Sequence, residues 1–132
     1  MVQFKLAVAE YRLAEREVLK MPAEVEAGRL ATYAHGEALA DLTKRIETLK
    51  AQDFYQELIV GGLDVRQVVL RTDDTAGVLI SEKCVVRTYR RTAEGDRLVN
   101  EETYDGDAVY GLIKLDARWK VERIRRVGGA GS

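Results

Sequence analysis

The chain has 132 residues, of which 46% are hydrophobic and 33% are charged. This length allows one domain with one core, and this apolar content excludes an intrinsically disordered chain. The formal net charge of −1 provides no overall field that would steer the protein to nucleic acid or to an anionic membrane. A single cysteine, Cys84, excludes an internal disulfide, and a single histidine, His35, excludes most histidine-based metal sites.

The sequence contains no run of about eighteen apolar residues, so it predicts no transmembrane segment in this chain. A signal-peptide pattern is also absent. The glycine-rich close, residues 128–132, is typical of a flexible tail or linker, so we expect one domain over residues 1–127. We interpret the chain as a domain of a larger protein. Its compartment is unknown: cytoplasmic by default, and extracytoplasmic if the parent protein is anchored in a membrane.

Helices are predicted in the first third of the chain. Apolar residues at three- and four-residue steps predict a first helix over residues 3–20 and a third over residues 37–51. Met21-Pro22 ends the first helix, and proline suits the first position of a short second helix over residues 23–34.

Leu6 and Leu13 lie seven residues apart on the side of the first helix that is opposite to its apolar face. One interpretation is two singly exposed leucines, which are ordinary on protein surfaces. The other is a second stripe that is buried against another chain or another part of a larger protein. The two leucines are therefore candidate interface residues.

In the rest of the chain the apolar period changes to about two, which is typical of strands. We predict strands over residues 58–71, 78–91 and 98–115, and a last strand that begins at Trp119. The adjacent glycines Gly61-Gly62 mark a bend or bulge in the first strand. Short turns with no intervening helix require an antiparallel meander, so the fold class is α+β: two to three N-terminal helices on a four-stranded antiparallel sheet.

Helices followed by such a meander resemble the nuclear transport factor 2-like superfamily, the cystatin-like α+β cone. The resemblance is nearest to the intermembrane-space domain of the plastid-division DnaJ-like proteins and their bacterial relatives. The features that carry it are Leu30 before Gly36-Glu37-Ala38-Leu39, then Asp53-Phe54-Tyr55, the strand pair around residues 89–95, and the closing residues 116–121. The resemblance implies helices folded over a curved sheet, sometimes with a pocket between them. For that subfamily it implies a non-catalytic domain that serves protein contacts.

No catalytic motif is present. The phosphate-binding patterns GxxxxGK[ST] and GxGxxG are absent, and so is the GxSxG nucleophile elbow. Cys84 and His35 could form a pair in three dimensions, but a free cysteine on a strand is usually a small buried hydrophobe. We therefore expect no catalytic residue, no metal ion and no cofactor.

The alternative function is that of a small-molecule-binding pocket domain, a class that includes isomerase- or dehydratase-like enzymes. The resemblance implies that such enzymes place a general acid or base inside the cone. The side chains that could reach such a cavity are Tyr11, Tyr33, His35, Tyr110 and Trp119. Buried tyrosine and tryptophan are more often core residues whose polar end reaches a partner. His35 beside a glycine is typical of an exposed helix end.

A cationic and aromatic face is predicted on the second strand, where Arg87, Tyr89 and Arg91 alternate. Such a face could stack the bases of a single-stranded nucleic acid. However, acidic residues such as Glu101 and Glu122 on neighbouring strands would lie opposite, and cross-strand charge pairs are the commoner arrangement. We therefore do not expect nucleic-acid binding, and we treat this face as a candidate contact for a protein partner or a homodimer.

Overall fold

The computed structural model describes residues 2–26 and 28–129. Two α-helices precede four strands: α1 (Val2–Lys20), α2 (Gly36–Gln52), β1 (Phe54–Arg71), β2 (Thr75–Arg90), β3 (Arg97–Leu115) and β4 (Arg118–Gly129). The strands form one antiparallel sheet in the order β1-β2-β3-β4. The predicted α+β class and the meander are therefore confirmed.

The segment between the helices differs from the prediction. The prediction of a helix over residues 23–34 is wrong: the described residues of this segment form two short 3₁₀ turns, Pro22–Glu24 and Leu30–Thr32. Gly28 lies between them with a φ of 84°, in the left-handed region that a right-handed helix cannot contain. Leu30 is nevertheless buried, so the segment still contributes to the core.

The core lies between the two helices and one face of the sheet. Phe4 and Val8 of α1 pack in one apolar cluster with Val78 and Ile80 of β2. These four side chains are completely buried, and each contributes about 1.5–3 kcal/mol to stability through removal from water. Trp119, at the start of β4, is only half-buried.

Extra residues bend the sheet at its two outer strands. The pairing of β1 with β2 shifts by one residue at Gly61, at Arg66 and at Val69. The predicted irregularity at Gly61-Gly62 is therefore confirmed. In the pairing of β4 with β3, the extra residues are Glu122 and Val127. Bulges increase the local twist, so these positions curve the sheet around the helices.

The last described residues of the chain belong to the sheet. Gly128 and Gly129 belong to β4 and pair with Asp107 and Gly106, so the first two residues of the predicted flexible tail lie in the sheet. The other three residues of that tail, 130–132, lie outside the described residues. Neither helix in the described ranges is long and apolar enough to cross a membrane.

Candidate functional site

A buried polar cluster lies inside the core, and Arg12 of α1 is at its centre. Its guanidinium donates to Glu15 Oε1 at 2.6 Å and to Glu82 Oε2 on β2 at 2.7 Å. It also donates to the hydroxyl of Tyr110 on β3, from Nε at 2.9 Å and from Nη2 at 2.5 Å. That hydroxyl donates to Glu82 at 2.8 Å. Each of the four residues is less than a tenth exposed.

Sequence reasoning found Tyr110 but missed Arg12, Glu15 and Glu82. Charged side chains are rarely buried, so a hydrophobic pattern does not single them out as core residues. A usable signal was present nevertheless. Glu15 is four residues from Tyr11, in the middle of the apolar face of α1, where a solvent-exposed carboxylate is out of place.

The hydrogen-bonding capacity of the cluster is used internally. Burial raises the pKa of Tyr110 well above its ordinary value, although the charge of Arg12 opposes the rise. Burial, followed by the charge of Glu15, also raises the pKa of Tyr11. Among the described residues, every buried side-chain nitrogen and oxygen has a partner. Each buried polar side-chain atom of the cluster therefore already has a partner within the chain.

A cavity of about 370 Å³ opens beside this cluster, between α1, α2 and β4. Its lining comprises Tyr11, Arg12, Glu15, Ala38, Asp41, Leu42, Arg45, Ile124, Arg125 and Arg126. Arg45 lies 3.5 Å from Glu15 Oε2 and donates to Gln56 at 2.7 Å. Arg125 donates to Glu37 at 2.8 Å. The positive charges of this cavity are therefore largely paired with carboxylates of the same chain.

The five predicted pocket residues do not converge on one cavity. Tyr11 lines the cavity beside the cluster, and Tyr110 belongs to the cluster itself. Tyr33 is half-buried under the guanidinium of Arg118, 5.0 Å from its ring centroid. Trp119 packs edge-on against Phe4, with ring centroids 5.0 Å apart.

His35, the fifth predicted pocket residue, is an exposed side chain at the N-cap of α2. Its backbone N–H donates to the carbonyl of Val121 at 2.9 Å.

Cys84 is buried in a small apolar cluster with Leu58 and Tyr104. Burial raises the pKa of its thiol, which disfavours a nucleophilic thiolate. The Cys84–His35 pair considered from the sequence would have to join a thiol that is buried on β2 to a ring that is exposed at the start of α2, so the structure does not favour it.

The outer sheet face, which we define as the face turned away from the helices, carries alternate residues of the strands. No described element covers it. Its apolar members include Ile59 of β1, Leu79 and Val85 of β2, and Val109 and Ile113 of β3. Their side chains are half-buried, except that of Ile59, which is 41% exposed.

Arg87 and Tyr89 lie on this outer sheet face, as the sequence pattern predicted. Arg87 donates to Glu101 at 2.7 Å and to Glu57 at 3.2 Å, which confirms cross-strand charge pairing at this position. Tyr89 stacks on Tyr55 with ring centroids 5.2 Å apart.

Arg91 follows the end of β2, and its guanidinium lies 4.7 Å from the centroid of the Tyr55 ring. Leu6 and Leu13, the other predicted interface residues, are each 56% exposed on α1. Among the described residues, no group of three or more histidine, cysteine, aspartate or glutamate side chains is arranged to hold a metal ion.

No protein-family model and no curated protein matches this sequence. Solved structures do match its fold. The intermembrane-space region of the chloroplast protein ARC6 superposes with a TM-score of 0.67 at 15% identity, over 97% of this chain and 94% of that one. This agreement covers both helices and the whole meander. The chain adopts the nuclear transport factor 2-like fold.

Two further structures with this nuclear transport factor 2-like fold are more distant. A proposed aromatic ring hydroxylase from Novosphingobium aromaticivorans matches with a TM-score of 0.54 at 12% identity, over 100% of this chain and 95% of that one. A protein from Catenulispora acidiphila in complex with S-DNPA matches with a TM-score of 0.51 at 12% identity, over 96% and 95%. Likeness at these identities shows the fold alone, and the fold suits both a contact domain and a pocket domain.

Proposed function

We propose that this nuclear transport factor 2-like domain serves protein contacts and carries out no catalysis of its own. The observation that carries the proposal is the outer sheet face, which is apolar at Ile59, Leu79, Val85 and Val109 and lacks a covering element among the described residues. Exposed apolar surface rimmed by polar residues is typical of protein interaction sites. The likeness to the intermembrane-space region of ARC6 supports a domain that acts within a larger protein.

The interior supports the same proposal. Catalysis by a general acid or base needs a group that is available to the substrate. The buried groups nearest to the cavity, Arg12, Glu15 and Glu82, bond to one another and to Tyr110. Arg12 and its partners then act as a structural cluster, and the outer sheet face provides the surface for a partner.

We expect a second copy of the chain to occupy this face when no other partner is present. Replacing Ile59 by glutamate puts a charge directly beside Val85 on the apolar surface, so self-association through this face should weaken at least tenfold, or by about 1.4 kcal/mol. Sedimentation equilibrium at up to millimolar concentration measures this change. Because the face also carries Arg87, association should weaken when the ionic strength rises from about 0.05 to 0.5 M.

Val127→Glu provides a matched control, since Val127 is an apolar residue of β4 that is 62% exposed. The control should behave like the unchanged chain. Equal association of the Ile59→Glu and Val127→Glu variants would remove the outer sheet face as the contact surface.

The second candidate function is a small-molecule-binding domain, and the cavity of about 370 Å³ beside Tyr11 favours it. Its volume lies within the range of ligand pockets. Its lining contains both arginines and carboxylates, which would suit a ligand that carries both charges. Chemical shift changes confined to the amides of Tyr11 and Arg45 on addition of such a ligand, for example a free amino acid, would support this candidate over the contact domain.

A further inference from the structure

The exposed side of α1 carries an apolar stripe that the domain itself does not use. It consists of Val2, Leu6, Ala9 and Leu13, which we call the α1 stripe. Val2 is 81% exposed, Leu6 and Leu13 are each 56% exposed, and Ala9 is also exposed. Their spacing of four, three and four residues is the spacing of the contact positions in a coiled coil. A scatter of single exposed leucines would not be expected to follow this spacing.

The charges beside the α1 stripe are sorted by sign. At 3.6 residues per turn, Lys5 and Arg16 lie on one side of the stripe, and Glu10 and Glu17 lie on the other. In a parallel pair of identical helices, the side with Lys5 and Arg16 on one helix faces the side with Glu10 and Glu17 on the other. Cations then meet carboxylates. In an antiparallel pair, like sides face each other, so the cationic sides meet and the acidic sides meet.

The acidic side also has partners within the chain. Glu10 Oε2 accepts from Arg118 at 2.5 Å, and Glu17 Oε2 accepts from Arg29 at 2.7 Å. A carboxylate has two oxygens and several lone pairs, so each can accept a further cation from another molecule. These pairs also hold the carboxylates in place beside the stripe.

We infer that α1 binds the α1 helix of a second copy, side by side and parallel, through the α1 stripe. A two-fold interface must be self-complementary, because each residue contacts the same surface on its partner. The α1 stripe meets this condition: apolar residues contact their own copies, while Lys5 of one chain faces Glu10 of the other. This contact is independent of the outer sheet face, because it uses the opposite side of the molecule.

The stripe covers three helical turns, so the contact is expected to bury less than the roughly 1,600 Å² of a typical stable interface. We therefore expect it to be weak. The apolar run ends at Leu13, because the next two positions at the same spacing, Arg16 and Lys20, are charged and exposed. The long lysine side chains of the two copies can turn away from each other into water.

The first test replaces Leu6 by glutamate. Two copies of the variant would place like charges at the centre of the stripe, so in an Ile59→Glu background, where the outer sheet face is blocked, self-association in sedimentation equilibrium should weaken at least tenfold. Leu6 is exposed, so circular dichroism should show an unchanged fold. The control is Val127→Glu in the same background, which lies on β4 and should associate like the Ile59→Glu chain. Equal association of the Leu6→Glu variant and the control overturns the inference, whatever the Ile59→Glu variant does.

The second test determines the orientation. In a parallel pair Leu13 lies beside Leu13 of the other copy, within the roughly 4.4–6.8 Å between Cα atoms that a disulfide requires. In an antiparallel pair centred on the stripe, the two Leu13 residues are about 16 Å apart. Mild oxidation should therefore convert Leu13→Cys into a covalent dimer. The native thiol of Cys84 is 3% exposed and contributes little background.

Lys44→Cys is the control for this experiment, because Lys44 is exposed on α2. It should remain monomeric under the same oxidation. Absence of the Leu13→Cys dimer, or equal cross-linking of the control, overturns the parallel arrangement.

Discussion

Arg12 holds a buried network of charged and polar side chains together inside an otherwise apolar core. It is held between two carboxylates and a phenol, at distances of 2.5–2.9 Å for its shortest bonds. Compared with apolar residues of the same volume, such a buried ionic group gains little net stability, because its desolvation cost is high. Removal of one member is nevertheless costly, since the remaining charges stay buried without a partner.

We therefore predict that Arg12→Leu lowers the free energy of unfolding by about 3–5 kcal/mol, because Glu82 is left as an unpaired buried carboxylate. Urea denaturation measures the loss. Arg16→Leu is the matched control: Arg16 is exposed one turn further along α1, and its replacement should change stability by less than about 0.5 kcal/mol. A loss below about 1 kcal/mol for Arg12→Leu would show that the carboxylates find other partners or take up protons.

The buried tyrosines predict how stability depends on alkaline pH. Burial raises the pKa of Tyr110 and of Tyr11, whereas tyrosine in the unfolded chain has a pKa of about 10. Above that pH the folded state binds more protons than the unfolded state, so the free energy of unfolding falls as the pH rises. The stability that the two buried tyrosines gain from their raised pKa is complete below about pH 10, and it disappears as the pH passes through that raised pKa.

Urea midpoints between about pH 8 and 11 should therefore fall more steeply for the unchanged chain than for Tyr110→Phe, which has no proton to lose at this position. The slope is the informative quantity, since Tyr110→Phe also loses hydrogen bonds to Arg12 and Glu82 at every pH. Equal slopes would mean that Tyr110 ionises in the folded chain as it does in the unfolded chain.

The elements show which sequence signals were reliable. α1 begins one residue before the predicted start, and α2 extends one residue beyond the predicted range at each end. Both are long amphipathic helices, for which periodicity is most informative. The segment with Val25, Leu30 and Tyr33 was also predicted to be a helix, but it is short and contains Gly28, and it forms turns instead. Three apolar residues are too few to establish a helical period.

The start of β1 was placed too late for a related reason. β1 begins at Phe54, whereas the prediction began at residue 58. Residues 54–57 contain polar side chains on both faces, and Gln56 points inward to donate to Thr88. Its pairing with β2 is therefore supported by a hydrogen bond that a hydrophobic pattern does not reveal.

The entry of the chain into α2 depends on Gly36, whose φ of 53° lies in the left-handed region. A Cβ at this position would also lie 3.3 Å from Cγ of Glu122. We predict that Gly36→Ala costs about 1–2 kcal/mol and lowers the melting temperature. Gly62→Ala is the control, because a Cβ there meets no atom within 4 Å and the φ is not positive. Equal melting temperatures for the two variants would contradict a strained backbone at Gly36.

At the scale of the whole molecule, the sequence was sufficient for the architecture and for which side of their element Arg87, Leu6 and Leu13 occupy. Alternation on β2 correctly separated Arg87 from the buried face, and the seven-residue step correctly placed Leu6 and Leu13 outside the core. The buried cluster could not be predicted, because Arg12 meets Glu82 and Tyr110 only through contacts 70 and 98 residues apart in sequence. Such pairs become visible only when helix and sheet are packed together.

The two proposed contact surfaces lie on opposite sides of the domain, one on the sheet and one on α1. If each binds a second copy by its own two-fold axis, a dimer formed through one surface still exposes the other. The domain would then join copies into larger assemblies, and either Ile59→Glu or Leu6→Glu alone would stop growth at the dimer.

The extra residues of the outer strands have a consequence for solubility. A strand at the border of a sheet presents unpaired amide and carbonyl groups, and these can recruit further strands into fibrils. Gly61, Arg66 and Val69 interrupt that row on β1, while Glu122 and Val127 interrupt it on β4. β2, which is paired on both sides, contains no extra residue, and the one extra residue of β3, Val99, lies in the part of that strand that β4 does not pair. The irregularities that curve the sheet therefore also make its borders poorer templates for a further strand.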